Sequence, residues 1–156
     1  MKNFNFKIAH IHGSYKYSKK AFETVKLNKE IFNTSPVMIY DNPARKEAAI
    51  AENNVLSANF LELQRQLKTC DKVITIGNSF KTEPHLQKLI KNNFNRPKTS
   101  LIICSDQPDK VTPSLQTCYD YPIYTQATTH VKTEAQFIKL FDQLLKADKL
   151  DMLSVA

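Results

Sequence analysis

Two histidines separated by one residue, His10 and His12, stand near the start of the chain and are followed by Gly13. Residues 6–11 are apolar and β-prone, which predicts a strand that stops at Gly13. Alternate residues of a strand share a face, but the spacing supplies no third ligand, so we expect no metal site. His12, at the strand end, is the better placed histidine for proton transfer near neutral pH. The alternative is a partly buried histidine held by hydrogen bonds.

A second group of candidate residues, Gly77, Asn78 and Ser79, follows a strand predicted over residues 73–76. Glycine at this point lets a ligand approach the backbone closely. The helix predicted to follow would present unpaired N–H groups, which attract phosphate or ribose oxygens, and Ser79 adds a hydroxyl. A tight strand-to-helix turn without a ligand explains the pattern equally well. The chain contains neither a GxGxxG fingerprint nor a Walker loop.

A third group, Cys104, Ser105 and Asp106, ends the strand predicted over residues 100–104. Ligands of parallel sheets bind beyond the carboxyl ends of the strands, so Ser105 and Asp106 are candidate contacts for the same ligand. Cys104 is not expected to be a nucleophile, because position 110 is lysine where a Cys-x5-Arg phosphate loop needs arginine. The three cysteines of the chain lack CxxC spacing, which predicts reduced thiols rather than a zinc site or a disulfide framework.

A sheet is needed to bring these residues together. Short continuous apolar runs predict buried strands, and helices are predicted where apolar residues recur at helical spacing. The clearest helices cover residues 56–67 and, after a capping box of Thr133 and Gln136, residues 135–145. Residues 14–20 and 109–119 are polar and are predicted as loops. The predicted strands are 6–11, 36–40, 73–76, 100–104 and 122–125, and the remaining predicted helices are 21–32, 44–52 and 84–91.

Alternating strands and helices predict an α/β fold of three layers, with a mostly parallel sheet and helices on both of its faces. A chain of 156 residues suits a single domain, predicted over residues 1–149, with an apolar tail over residues 150–156. No apolar run is long enough to cross a membrane, so we expect a cytoplasmic protein with no membrane partner. The formal net charge is +7, but only three of the 22 basic residues are arginines. We therefore expect a solvated basic surface, which could help an anionic small ligand to bind, rather than a nucleic-acid interface.

The order of the predicted strands, helices and motifs along the chain is more specific than any single motif. It resembles the second half of Sir2-like (sirtuin-related) domains, in particular the divergent bacterial forms found in NAD-consuming defence proteins. The resemblance covers about residues 6–106 and rests on His12-Gly13, on Ile76-Gly77-Asn78-Ser79-Phe80 and on Glu83-Pro84-His85-Leu86. It implies a partly Rossmann-like fold that binds NAD, ADP-ribose or a related nucleotide. It further implies His12 as a general base acting on a ribose hydroxyl, and it implies nucleotide contacts from Gly13, Gly77, Asn78, Ser79, Ser105 and Asp106.

The chain also departs from this family. The family grips NAD with a Gly-Ala-Gly loop and an Asn-x-Asp motif, and a chain with two glycines and no Asn-x-Asp has neither. The zinc-binding cysteine pairs of deacetylating sirtuins are absent as well. The resemblance therefore implies a half-domain or shortened variant that works first as a binding module. If the chain is an enzyme at all, the activity that the resemblance implies is that of an NAD glycohydrolase. One alternative is a non-catalytic interaction module that pairs with itself or a partner chain, through an exposed sheet edge or its apolar tail. Another is an unrelated doubly wound domain with a different small ligand, since fold does not fix function.

Overall fold

A computed structural model describes residues 8–27, 33, 35–40, 42–77, 80, 83–94, 100–119 and 123–146. The chain divides into two compact units, Met1–Gln66 and Leu67–Ala156. Each unit has a hydrophobic cluster of its own. The single domain over residues 1–149 stays a prediction, and the tail over residues 150–156 lies outside the described residues.

The first unit contains a three-stranded antiparallel sheet. Its strands are β1 (Gly13–Lys20), β2 (Glu23–Lys26) and β3 (Pro36–Met38), in the order β2-β1-β3. β1 and β2 form a hairpin whose turn contains Ala21 at the unusual φ of 48°. The pairing of β1 with β3 is irregular between Ser14 and Ser18. There, the buried side chain of Asn33 donates hydrogen bonds to the carbonyls of Tyr15 and Tyr17, at 2.7 and 2.9 Å.

This hairpin corrects three predictions. Residues 14–20 form a strand rather than a loop, and the described part of 21–32 forms a turn and β2 rather than a helix. Residues 8–12 lie outside any strand, and Gly13 begins β1 instead of ending a strand. The polar composition of residues 14–20 led to the loop prediction. It did not reveal the strand, because a strand of this small sheet needs few apolar residues. In β1 only Tyr17 is buried, and it packs with Ile50 and Leu56.

The described residues of the first unit also form two helices, α1 (Lys46–Ala51) and α2 (Asn54–Leu67), and both confirm the predicted helical segments. The side chain of Asn53 caps the N-terminus of α2. Its Oδ1 accepts hydrogen bonds from the N–H groups of Val55 and Leu56, each at 3.1 Å. The same side chain donates from Nδ2 to Thr24 Oγ1 at 3.0 Å, which ties the start of α2 to β2.

The second unit contains a three-stranded parallel sheet in the order β4-β5-β6. Its strands are β4 (Lys72–Ile76), β5 (Ser100–Ser105) and β6 (Ile123–Ala127), and its helices are α3 (Pro84–Asn93), α4 (Pro108–Gln116) and α5 (Glu134–Lys146). The central strand β5 is the most buried, because Leu101, Ile102, Ile103 and Cys104 have no exposed surface. The continuous apolar runs correctly predicted these three strands as a parallel sheet.

Helix α5 begins as the sequence predicted. Gln136 N–H donates to Thr133 Oγ1 at 3.3 Å, and Thr133 N–H donates to Gln136 Oε1 at 3.1 Å, which completes the capping box. From α5, Leu140 and Leu144 pack against Ile102 and Cys104 of β5. Because none of the helices in the described ranges is both long and apolar, none of them could cross a lipid bilayer.

Helix α4 corrects the loop predicted over residues 109–119. Pro108 occupies the first turn, where a missing N–H costs nothing, and Asp109 complements the positive end of the helix. Pro113 inside the helix and a polar composition concealed it. The fold class is therefore α/β, as predicted, but a mostly parallel sheet was wrong for the first unit. Residues 36–38 pair antiparallel with β1, so the part of the chain that the structure describes forms two three-stranded sheets of different kinds.

Candidate functional site

The carboxyl ends of the three parallel strands meet at one edge of the second unit. Gly77 follows β4, Asp106 follows β5 and Thr128 follows β6. Gly77 N–H donates to the Cys104 carbonyl at 3.1 Å, and Thr128 N–H donates to the Ser105 carbonyl at 2.9 Å. These bonds continue the pairing of the strands to their last residues. Gly77, Ser105 and Asp106 are thus held side by side, as the sequence predicted for the end of a parallel sheet.

Gly77 leaves the space above its backbone open. Its φ is +68°, in the left-handed region that favours glycine, and a Cβ built on it would meet no atom within 4 Å. Packing therefore does not require a glycine here, whereas the backbone turn favours one. Gly77 itself is exposed at the end of β4.

Ser105 and Asp106 differ in accessibility. Ser105 is 8% exposed, and its Oγ accepts the N–H of Gln107 at 3.0 Å. This bond forms the turn that leads from β5 into α4, so Ser105 has a structural role whether or not a ligand binds. Asp106 is exposed beside that turn and presents its carboxylate to solvent. Of these two, Asp106 is the residue that a ligand reaches without any rearrangement.

Helix α3 starts with a close pair of ionisable side chains. Glu83 is its N-cap residue, and Glu83 Oε2 lies 3.4 Å from Nε2 of His85. The side chains are 15% and 2% exposed, so both are withdrawn from water. A carboxylate at a helix N-terminus is stabilised by the helix dipole, which favours the acidic residue in this position. Sequence reasoning quoted this segment only as part of a motif and assigned neither residue to the site.

Helix α4 gives the same edge a second helix start. Its N-cap is Gln107, which makes no capping bond through its side chain, and Pro108 occupies the first turn. Because residues 109–119 were predicted as a loop, the sequence analysis did not predict a helix start here. The pair Pro108 and Asp109 directly after a strand was the available signal.

Cys104 is enclosed below the edge. It has no exposed surface, and burial raises the pKa of its thiol from the ordinary value of 9.0 to about 11. Only the thiolate is an effective nucleophile, so at neutral pH this side chain is a packing residue.

His12 and Gly13 belong to the first unit. His12 is half-buried in the turn before β1, and its carbonyl accepts the N–H of Ile39 at 2.8 Å. Because His10 and His12 both precede the strand, the argument that they share a strand face was wrong. His10 is exposed, and its ring lies 6.1 Å from that of Tyr17 in an edge-to-face arrangement.

Gly13 has a structural reason to be glycine. Its φ is +92°, and a Cβ at this position would lie 1.9 Å from the carbonyl oxygen of Val37. The close pairing of β1 with β3 therefore excludes any side chain. A role of Gly13 beside a ligand stays a prediction, since packing alone accounts for it.

The predicted site residues are thus distributed over both units. Gly77, Ser105 and Asp106 share the strand-end edge of the second unit, while His12 and Gly13 lie in the first. Asn78 and Ser79 lie outside the described residues. Comparison with known proteins found no family model, no curated sequence and no solved structure that matches this chain.

Proposed function

We propose that this protein binds NAD, ADP-ribose or a related nucleotide as a small Sir2-like module. The observation that supports the proposal best is the open space above Gly77, at a strand end, with its backbone in the left-handed region. Phosphate-binding turns of parallel sheets use glycine there because the pyrophosphate approaches the backbone itself. Among the residues that the structure describes, none outside the immediate neighbours of Gly77 would meet a Cβ there, which is compatible with such an approach.

The helix starts at this edge support an anionic ligand. Helices α3 and α4 begin after β4 and β5, and neither N-cap residue makes a side-chain capping bond. In each helix the first-turn proline has no N–H, and another first-turn N–H already donates to the N-cap carbonyl, Leu86 to Glu83 at 3.0 Å and Lys110 to Gln107 at 3.1 Å. The support that these helix starts give to an anionic ligand is therefore the partial positive charge of the helix dipoles.

Asp106 is the proposed contact for the ribose. Its exposed carboxylate is an acceptor for two vicinal hydroxyls, which is how acidic residues at parallel-sheet edges recognise nucleotides. Ser105 is the proposed second contact, at the end of the same strand. The three-layer, partly Rossmann-like arrangement also belongs to this proposal, which the parallel order β4-β5-β6 supports.

The catalytic role of His12 rests on the sequence resemblance alone. With neither the Gly-Ala-Gly loop nor the Asn-x-Asp motif in the chain, the proposal is a binding module first. Cleavage of NAD by this chain is a separate hypothesis with its own assay.

Calorimetric titration with NAD and with ADP-ribose tests the binding. We expect saturable heat for at least one of them, and the absence of heat at millimolar ligand would contradict the proposal. Asp106→Asn should weaken binding about tenfold, because the ribose hydroxyls lose an ionic acceptor. Asp71→Asn is the control, since Asp71 is an exposed aspartate that precedes β4, at the other end of the strand from the proposed site. Equal losses in the two variants would remove Asp106 from the site.

An NAD-consumption assay on the protein and on His12→Ala tests the catalytic hypothesis. If the protein consumes NAD, we expect the substitution to lower the rate by two or more orders of magnitude, a usual contribution of a general base. Equal rates would exclude His12 from the reaction and leave the binding proposal standing.

A further inference from the structure

Phe80 has an unusual backbone conformation for its residue type. Its φ is 59°, in the left-handed region, although it is a bulky residue rather than glycine or asparagine. A Cβ in this region lies too close to the following carbonyl oxygen, so the conformation costs free energy. Phe80 is also buried, with 3% of its surface exposed. Strain of this kind persists only where the surrounding structure maintains it, so its position in the fold needs a reason.

Phe80 lies between the end of β4 and the start of α3. It follows Gly77 by three positions and precedes Glu83, the N-cap residue of α3, by three. The Phe80 carbonyl accepts the N–H of Glu83 at 3.1 Å. The Glu83 carbonyl in turn accepts the N–H groups of Leu86 and Gln87, at 3.0 and 3.2 Å. A chain of hydrogen bonds therefore connects Phe80 to the first turn of α3.

The sheet fixes the other end of this connection. Gly77 also has a left-handed backbone, with a φ of +68°, and its N–H donates to the Cys104 carbonyl at 3.1 Å. Gly77 is thereby bound to β5, whereas Phe80 is bound to the start of α3. The chain thus passes from the sheet to the helix in three residue steps, with a left-handed residue at each end.

Burial of the ring explains why a phenylalanine is tolerated at position 80. Removing a phenylalanine side chain from water stabilises a fold by more than a single left-handed residue costs. Glycine would adopt the same backbone without strain, but it would bury no side chain. Phe80 therefore combines a buried anchor with a backbone direction that an unstrained residue of its size would not take.

We propose that Phe80 is a positioning residue of the proposed nucleotide site, which holds the start of α3 in place relative to Gly77. The inference rests on the proposed function, in which a diphosphate meets both the backbone of Gly77 and the positive end of the α3 dipole. Both features act on one ligand only while strand end and helix start keep a fixed relation. A ring with 3% exposure acts through the backbone that it anchors rather than by touching the ligand.

Amide hydrogen exchange on the free protein tests the positioning role without any ligand. In Phe80→Ala, exchange should rise at least about tenfold at the amides of Gly77 and Glu83, whose hydrogen bonds lie on either side of the lost ring. The amide of Thr128, which donates to the Ser105 carbonyl, should keep its native rate. An equal rise at all three amides, or no rise at Gly77 and Glu83, would overturn the proposal.

Calorimetric titration with ADP-ribose tests the consequence for binding. Phe80→Ala should weaken binding at least about tenfold, because the ligand must then order the start of α3. Phe94→Ala is the matched control, since Phe94 is a fully buried phenylalanine at the other end of α3. It should lower the stability of the fold as well, yet leave the dissociation constant within about twofold of the native value.

The titrations distinguish failure of this inference from failure of the proposed function. Equal losses of affinity in Phe80→Ala and Phe94→Ala, or no loss in Phe80→Ala, would overturn the positioning role while nucleotide binding stands. No binding to the native chain would overturn the proposed function, and with it the site that Phe80 positions.

Two further substitutions separate the ring from the backbone. Phe80→Leu keeps a buried apolar side chain, so its exchange rates and affinity should be close to native. Phe80→Gly removes both ring and strain, so it should unfold at a higher urea concentration than Phe80→Ala, and it replaces that variant in both experiments if alanine prevents folding. A leucine variant as weak as Phe80→Ala, or a glycine variant less stable than Phe80→Ala, would overturn the proposal.

Discussion

At the scale of single residues, the two glycines have opposite surroundings. Both adopt positive φ, yet a side chain at Gly13 would collide with the backbone of β3, while a side chain at Gly77 would meet nothing within 4 Å. The sequence predicted both as ligand-site glycines, because scarcity and position at a strand end were the only visible signals. The contact with Val37 depends on an antiparallel pairing that local sequence does not reveal. Gly77 followed a clearly predicted parallel strand, so its placement could be predicted.

Substitution by alanine should separate the two glycines. Gly13→Ala should lower the free energy of unfolding by about 3 kcal/mol or more, since its Cβ would overlap the Val37 carbonyl. Gly77→Ala should cost about 1 kcal/mol, from the left-handed backbone alone. Urea denaturation followed by circular dichroism measures both values. Equal losses, or a milder effect at Gly13, would contradict the packing role assigned to it.

Cys104 predicts a specific loss of stability in alkaline solution. Burial raises the pKa of its thiol in the folded chain to about 11, above the ordinary value of 9.0. The folded state thus holds the proton more tightly, so the contribution is complete below pH 9 and is lost as the pH rises towards 11.

The difference between the native chain and Cys104→Ala isolates this contribution from the lysines and tyrosines that titrate in the same range. We expect the native chain to lose its stability advantage over the variant progressively between pH 9 and 11 in urea denaturation. A difference that is constant with pH would show that the thiol is not withdrawn from water.

At the scale of elements, prediction from sequence succeeded where burial was strong and local. Strands β4 and β5 and helix α5 follow uninterrupted apolar runs or a capping box, and all three were predicted. The hairpin of β1 and β2 was missed, because its turn uses Ala21 and Phe22 rather than glycine or asparagine. Helix α4 was missed because Pro113 argues against a helix unless tertiary contacts outweigh it.

The C-terminal end of helix α5 is capped by a contact that sequence alone does not show. Lys72, at the start of β4, donates from Nζ to the carbonyls of Leu144 and Leu145 at 2.8 and 3.1 Å. The last carbonyls of a helix have no partner within it, and the positive charge complements the negative end of the dipole. Strand and helix are 72 and 73 residues apart at these bonds.

Lys72→Met should therefore lower the free energy of unfolding by about 1 kcal/mol, because it keeps the length of the side chain and removes its donor. Lys132→Met is the control, since that exposed side chain precedes α5 and lies far from its last turn. Amide hydrogen exchange should rise in the last turn of α5 for Lys72→Met only. Unchanged exchange there would show that water replaces the lysine at no cost.

At the scale of the whole molecule, the two units differ in how well their sequence predicts them. The second unit is built on a parallel sheet whose central strand β5 is buried and forms an apolar run in the sequence. The proposed nucleotide site lies in this unit. The first unit holds its sheet with one buried tyrosine and side chains such as Asn33 and Asn53, which bond to partners distant in sequence. Polar contacts of this kind leave no periodic pattern, so its antiparallel sheet could not be predicted.

The charge of the whole chain gives a test of the ligand class that does not depend on any one residue. A formal net charge of +7 attracts the diphosphate of ADP-ribose over distances that salt screens. We expect the affinity for ADP-ribose to fall a few fold between low and physiological ionic strength, as measured by calorimetric titration. Adenosine, which carries no phosphate, is the control and should bind with little dependence on salt. If ADP-ribose binds with an affinity that salt does not change, the phosphates make no ionic contact. The helix starts of α3 and α4 would then have no part in recognition, since their partial charges act on the diphosphate alone.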